Sequence, residues 1–153
     1  MLYYANFTLE RGILIPRVTH LHCKIGHRKE MDPRTSLRIV ANKGIDGDAS
    51  FGRSQRQILL VSGDVLLDFD LKPGDLRENI VVEGLALEAL PPGTELRIGN
   101  SNLNITGPCE PCGRMDEIQD GLLDALRGRR GVLARAVSDG QISVGDHVEV
   151  ILP

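Results

Sequence analysis

Two cysteines three positions apart, in Pro108-Cys109-Glu110-Pro111-Cys112, are the sharpest chemical feature of the chain. Thiols so spaced can bind a metal jointly, form a redox disulfide, or leave one of the pair as a reactive nucleophile. Each option makes its own demand. A structural zinc site needs two more ligands, and the candidates are Cys23, His20, His22, His27 and His147. On a regular strand Cys23 faces away from His20 and His22, so these three converge only through a bulge. A thioredoxin-like pair belongs at the start of a helix in an αβ sandwich; the helix follows here, but the surroundings are strand-rich. One activated thiol is the simpler reading, because a helix beginning near Gly113 and the adjacent Arg114 would both favour its thiolate. The plain alternative is two small buried residues in a proline-rich loop.

Two further clusters stand out. Pro73-Gly74-Asp75-Leu76-Arg77-Glu78-Asn79 is a turn that delivers a cation, a carboxylate and an amide into a following strand. Alternation there puts Arg77 and Asn79 on one face and Glu78 on the other. Gly44-Ile45-Asp46-Gly47-Asp48 is an acidic turn trailed by Arg53 and Arg56, and it lacks the further oxygen ligands of a calcium loop. The cations are 14 Arg and 4 Lys, a balance that suits bidentate capture of phosphate or carboxylate and that a GC-rich genome also produces. Phosphate-loop, dinucleotide-fingerprint, zinc-protease and serine-hydrolase motifs are absent from the sequence, which weighs against nucleotide hydrolases and serine hydrolases.

The elements that must position these groups are mostly strands. At 153 residues with 41% apolar content, the chain is expected to form one soluble domain spanning 1–153. A net charge of -3 with five aromatic residues, none of them Trp, argues against nucleic-acid binding. The apolar runs are far shorter than a membrane helix requires, so no membrane span is expected. The start of the chain, Met1-Leu2-Tyr3-Tyr4-Ala5-Asn6, lacks a secretion signal, and an odd number of cysteines fits a reducing cytoplasm. Period-two patterning marks strands over 18–25 and 37–41, 56–61 reads as a buried strand, and 79–83, 95–98, 103–105 and 147–151 read as further strands. Ser62 is placed to cap a short helix, and Met115, Ile118, Leu122 and Leu126 recur at helical spacing over 113–127. Asp139-Gly140 predicts a tight hairpin between 132–138 and 141–144. The resulting class is mainly β, a closed or nearly closed barrel with one longer helix and a few short ones.

Five segments in order carry a family resemblance: Gly44-Ile45-Asp46-Gly47-Asp48, Arg56-Gln57-Ile58, the 73–80 turn, Thr106-Gly107 with Pro111-Cys112, and Arg130-Gly131-Val132 with Val144-Gly145-Asp146. Together, over residues 12–151, they resemble the MOSC domain, named for the carboxyl-terminal domain of molybdenum cofactor sulfurases. The resemblance implies a strand-dominated barrel that carries sulfur on one cysteine or holds the molybdenum cofactor, a pterin bearing a phosphate. It places the working thiol at Cys112, as sulfur carrier or molybdenum ligand, with Arg56, Arg77, Glu78, Asn79, Asp48 and Arg130 as cofactor-binding candidates. Cys109 falls where the family requires no thiol. The family's Gly-Glu-Asn becomes Arg77-Glu78-Asn79, and its Arg-His after Gly-Asp becomes Ala49-Ser50, which removes one anion contact. The partners implied are a cysteine desulfurase or a molybdoenzyme, and no pyridoxal phosphate site is expected in this chain. Related activities are reduction of N-hydroxylated compounds and non-catalytic delivery to a molybdoenzyme.

Overall fold

A computed structural model describes residues 8–10 and 13–151. The amino-terminal stretch read above for a secretion signal lies outside them. Thirteen strands are present among the described residues. They are β1 (Thr8–Glu10), β2 (Ile13–Ile15), β3 (Arg17–Cys23), β4 (Asp32–Arg34), β5 (Ser36–Val40), β6 (Gly44–Ile45), β7 (Ile58–Ser62), β8 (Ile80–Glu83), β9 (Glu95–Ile98), β10 (Ser101–Pro108), β11 (Val132–Ala136), β12 (Gly140–Ser143) and β13 (Val148–Ile151). Eight of them form one sheet in the order β13-β9-β10-β11-β7-β8-β3-β4, curled into a half-barrel. A second sheet, β12-β5-β6, packs against β3, β10 and β11, and β1 and β2 form a hairpin. Every pairing is antiparallel except β7 with β8. The protein is therefore mainly β, as its strand patterning implies.

The central strands are apolar on both faces because both faces are covered. Ile58 and Leu60 of β7, Ile80 and Val82 of β8, and Val132 and Ala134 of β11 point into the core shared with the three-stranded sheet. Their neighbours Leu59, Val61, Val81 and Leu133 point the other way, into a second core. Short helices close that side: α1 (Gly63–Asp68) contributes Val65 and Leu66, α2 (Arg114–Ile118) contributes Met115, and α3 (Leu122–Ala125) contributes Leu122. Burying one such aliphatic side chain contributes about 2 kcal/mol, so this layer holds the helices against the strands that carry the cysteine loop.

Several sequence expectations need correction. The helix expected over 113–127 is broken into α2 and α3, with Gln119 extended at φ -159° and Gly121 at φ 81°. Met115, Leu122 and Leu126 still share one core, so hydrophobic spacing survives a break that Asp120-Gly121 makes easy. Ile118 instead is exposed. Ser62 precedes α1 but does not cap it; its hydroxyl bonds the Leu85 carbonyl and Glu88 carboxylate and accepts the Leu87 N–H. Segments 132–136 and 140–143 do not form a hairpin, because β11 pairs with β10 and β7 while β12 crosses to β5. Asp139 helps turn the chain between sheets by accepting the Ala41 N–H at 2.7 Å. The strand at 17–23 does contain a bulge, between Val18 and His20.

Candidate functional site

The cysteine loop leaves the end of β10 and divides its two thiols. Cys109 is 7% exposed and packs in the helix-side core, while Cys112 is exposed. The Cys109 N–H donates to the Gly131 carbonyl at 2.9 Å, which ties the loop to the chain just before β11. Gly131 has φ 118°, and a Cβ there would strike the Leu60 carbonyl, so only glycine lets Arg130 be delivered at this point. The helix expected to favour the Cys112 thiolate is the five-residue α2, too short to sum a substantial macrodipole. Arg114 is drawn toward Glu117, with Nε to Oε2 at 3.8 Å.

Cys112 opens onto a cleft of about 780 Å³. Its walls come from the cysteine loop, the 73–79 turn, residues 50–59, the 24–31 loop and Arg130. Nine lining residues are Lys or Arg and three are Asp or Glu, although the whole chain carries a net charge of -3. Among the described residues no aromatic or histidine side chain lines it. Cations have thus been gathered on one concave surface, which raises the local concentration of small anions.

Arg130 is the least compensated of them. It is 6% exposed, and neither Nε nor Nη1 has a hydrogen-bond partner among the described residues. An ionised group so buried and unpaired costs several kcal/mol unless something outside the chain completes it. Its neighbours along the tail of α3 behave differently: Arg127 pairs with Asp124 at 3.0 Å, and Arg129 pairs with Asp68 at 2.6 Å while lying over the Phe69 ring. Neither of those two lines the cleft.

The other predicted residues divide between lining and support. Arg56, Arg77, Asn79, Arg130 and Cys112 line the cleft, whereas Asp48 and Glu78 are buried behind it. Arg77 has φ 63°, so the strand alternation expected across 77–79 starts only after it. Its Nη1 and Nη2 donate to the Lys29 and Gly26 carbonyls at 2.7 and 2.9 Å, pinning the 24–31 loop. Glu78 accepts the Gly74 and Leu76 N–H groups at 2.7 and 3.1 Å and so folds its own turn. Burial pushes its carboxyl up to about 7, against the pull of those N–H groups and of Arg130.

Asn79 joins three segments. The Leu59 N–H donates to its Oδ1 at 3.0 Å, and its Nδ2 donates to the His22 carbonyl at 3.1 Å and Asp48 Oδ1 at 2.9 Å. Asp48 in turn accepts the Lys24 and Ser50 N–H groups at 2.6 and 2.8 Å. Asn79→Ala leaves a buried N–H and carboxylate without their partner, and thermal or urea unfolding is expected to show a loss of about 2 kcal/mol. A change below a few tenths of that would show the network to be redundant.

Sequence reasoning missed Lys24, Arg28 and Lys29, which also line the cleft. Burial pushes the Lys24 ammonium down, and the charges of Arg77, Arg53 and Arg130 add to this while Asp48 opposes it. No motif surrounds these residues; the Arg77 hydrogen bonds to their loop, the Lys24 N–H bond to Asp48 and the Arg28 ion pair with Glu117 bring them in. Among the described residues no three His, Cys, Asp or Glu side chains converge as a metal site. Among the described residues no helix is long and apolar enough to cross a membrane.

The family model described as the MOSC domain matches residues 48–149, from Asp48 to the last strand. The chain belongs to the MOSC domain family. MOSC domains are associated with the molybdenum cofactor. Among solved structures, the YuaD protein of Bacillus subtilis matches with a TM-score of 0.77 at 20% identity, covering 89% of this chain and 96% of that one. YiiM from Geobacillus stearothermophilus matches at 0.72 and 14% identity, covering 90% and 75%. YiiM from Escherichia coli matches at 0.67 and 16%, covering 90% and 70%. At these identities the likeness is one of fold. No curated protein matches the sequence.

Proposed function

We propose that this MOSC protein binds the molybdenum cofactor or carries sulfur through one thiol, Cys112. The observation that carries the reading is the exposed Cys112 in a cleft whose buried Arg130 keeps two nitrogens unpartnered. A phosphate-bearing pterin fits those residues: an oxyanion would complete Arg130, with Lys24 and Arg53 beside it, and the soft thiolate of Cys112 suits molybdenum or sulfane sulfur. When bound, the cofactor supplies redox chemistry at the metal. The chain itself holds the anion and presents the Cys112 thiol, while Cys109, at the cleft wall, is largely buried in the helix-side core. A cysteine desulfurase or a molybdoenzyme is the partner class that fits either role, and a cytoplasmic setting keeps the thiols reduced.

Metal analysis and intact mass under non-reducing conditions, on protein from cells that make the cofactor, test this directly. Molybdenum close to one per chain, or a mass increase of one sulfur atom located at Cys112, is the expected result. Protein bearing neither, from cells that load other molybdenum proteins, would overturn the reading.

A further inference from the structure

A persulfide on Cys112 requires a donor, and the cleft has the chemistry to recognise a particular class. Lys24, Arg53, Arg77 and Arg130 line the same cleft, and Lys24 feels the charges of the other three, opposed by the Asp48 carboxylate. The hydrogen bond from Cys109 to Gly131 brings the Arg130 segment against the cysteine loop. Arg77 already gives two donors to backbone carbonyls, so Arg130, with Nε and Nη1 unpartnered, is the group with donors to offer a ligand. An anionic reagent would otherwise be repelled by a thiolate. The buried Arg130 guanidinium offsets that repulsion and stabilises a departing oxyanion.

We propose that the cleft is itself a sulfur-loading site, in which Cys112 takes sulfane sulfur directly from a small oxyanion donor of the thiosulfate class seated on Arg130. This rests on the sulfur-carrier reading and adds the donor. The Cys112 thiolate attacks the outer sulfur of thiosulfate, forming a new S–S bond. The S–S bond within thiosulfate breaks, and sulfite leaves with the electron pair. Persulfide and sulfite carry the same total charge as thiolate and thiosulfate, and no outside oxidant or reductant is consumed. A nucleophilic acceptor such as cyanide then takes the outer sulfur as thiocyanate and restores the thiolate.

The test uses the full chain, thiosulfate as donor and cyanide as acceptor, read by thiocyanate release and by intact mass before cyanide is added. One sulfur atom on Cys112, saturation with thiosulfate and competition by sulfite are expected. Arg130→Gln should slow thiosulfate loading by ~10-fold or more, the loss of a charge-assisted hydrogen bond. Polysulfide is also an anion but expels no oxyanion, so its loading of that variant should slow by less than thiosulfate's. Should Arg130→Gln fail to fold, Arg53→Gln at an exposed position makes the same comparison with a smaller loss. Loading by polysulfide but not by thiosulfate would overturn the donor assignment and leave the carrier reading standing. Failure with both donors would overturn both. An equal slowing in Arg127→Gln, outside the cleft, would show diffuse charge and overturn the seat at Arg130.

Discussion

Cys112→Ser is expected to abolish sulfur loading and molybdenum retention, whereas Cys109→Ser keeps most of both. The two thiols differ in place before they differ in chemistry. Cys112 is exposed in the cleft, while Cys109 packs with Leu59, Leu133 and Met115 in the helix-side core. A hydroxyl is neither a soft metal ligand nor a sulfur nucleophile at neutral pH, so the exchange at Cys112 removes the function outright. At Cys109 the same exchange puts a hydroxyl in an apolar site and costs about 1–2 kcal/mol of stability, read by thermal unfolding, with function retained in the folded fraction. Shared zinc would instead make both cysteines necessary for folding. A redox disulfide would make both necessary for activity, with the fold intact. Equal loss of sulfur loading in the two serine variants would therefore overturn the single-thiol mechanism.

How much of this could be read from sequence depends on the range of the interaction. Strands β7, β8 and β11 were legible as apolar runs because each is buried on both sides, and that local pattern survives folding. The pairing of β11 and β12 was not legible. Asp139-Gly140 signals a turn, yet nothing local states that β12 will cross to β5. The helix break at 119–121 was visible as Asp120-Gly121 but was outweighed by the spacing of Met115, Leu122 and Leu126, which holds with or without the break. In the site, Cys112, Arg77, Asn79 and Arg130 were legible through motif order. Lys24 and the 24–31 loop were not, because their membership depends on contacts distant in sequence, those of Arg77 with the loop carbonyls, of Lys24 with Asp48 and of Arg28 with Glu117.

Motif order also cannot separate a ligand contact from a support. Asp48, Glu78 and Asn79 look alike as polar residues in a glycine-bearing turn, yet their side chains bond mainly to backbone N–H groups and to one another. Arg130 looks like one of three arginines at a helix exit. Motif order singles it out, but only burial and pairing show why, since Arg127 and Arg129 have carboxylate partners. A site of this kind is recognised by which polar group is left without a partner, and that information is tertiary.

Stability should fall as pH rises from about 4.5 to about 7 by an amount traceable to Glu78. Its carboxyl is 0% exposed, and burial lifts it from 4.5 to about 7 in the folded chain. Within that window the native state binds more proton than the unfolded state, so the slope of stability with pH is negative. The contribution is fully present below the unfolded value and lost as pH passes the folded one; two to three units correspond to about 3 kcal/mol. His20 and His22, pushed down by burial, act in the opposite sense, so the curve of the wild type alone does not isolate Glu78. Urea unfolding of wild type and Glu78→Gln at pH 5 and pH 8 does. The variant loses one of the two N–H acceptors at every pH, and the gap between the proteins should be largest at pH 5 and shrink by pH 8. A gap independent of pH would overturn the assignment. Because Arg130 favours the ionised carboxyl, an anion seated on Arg130 should raise the Glu78 value further, and by linkage ionisation of Glu78 should weaken that anion. Sulfate or thiosulfate should accordingly bind more tightly at pH 6 than at pH 8, and Glu78→Gln should flatten that difference.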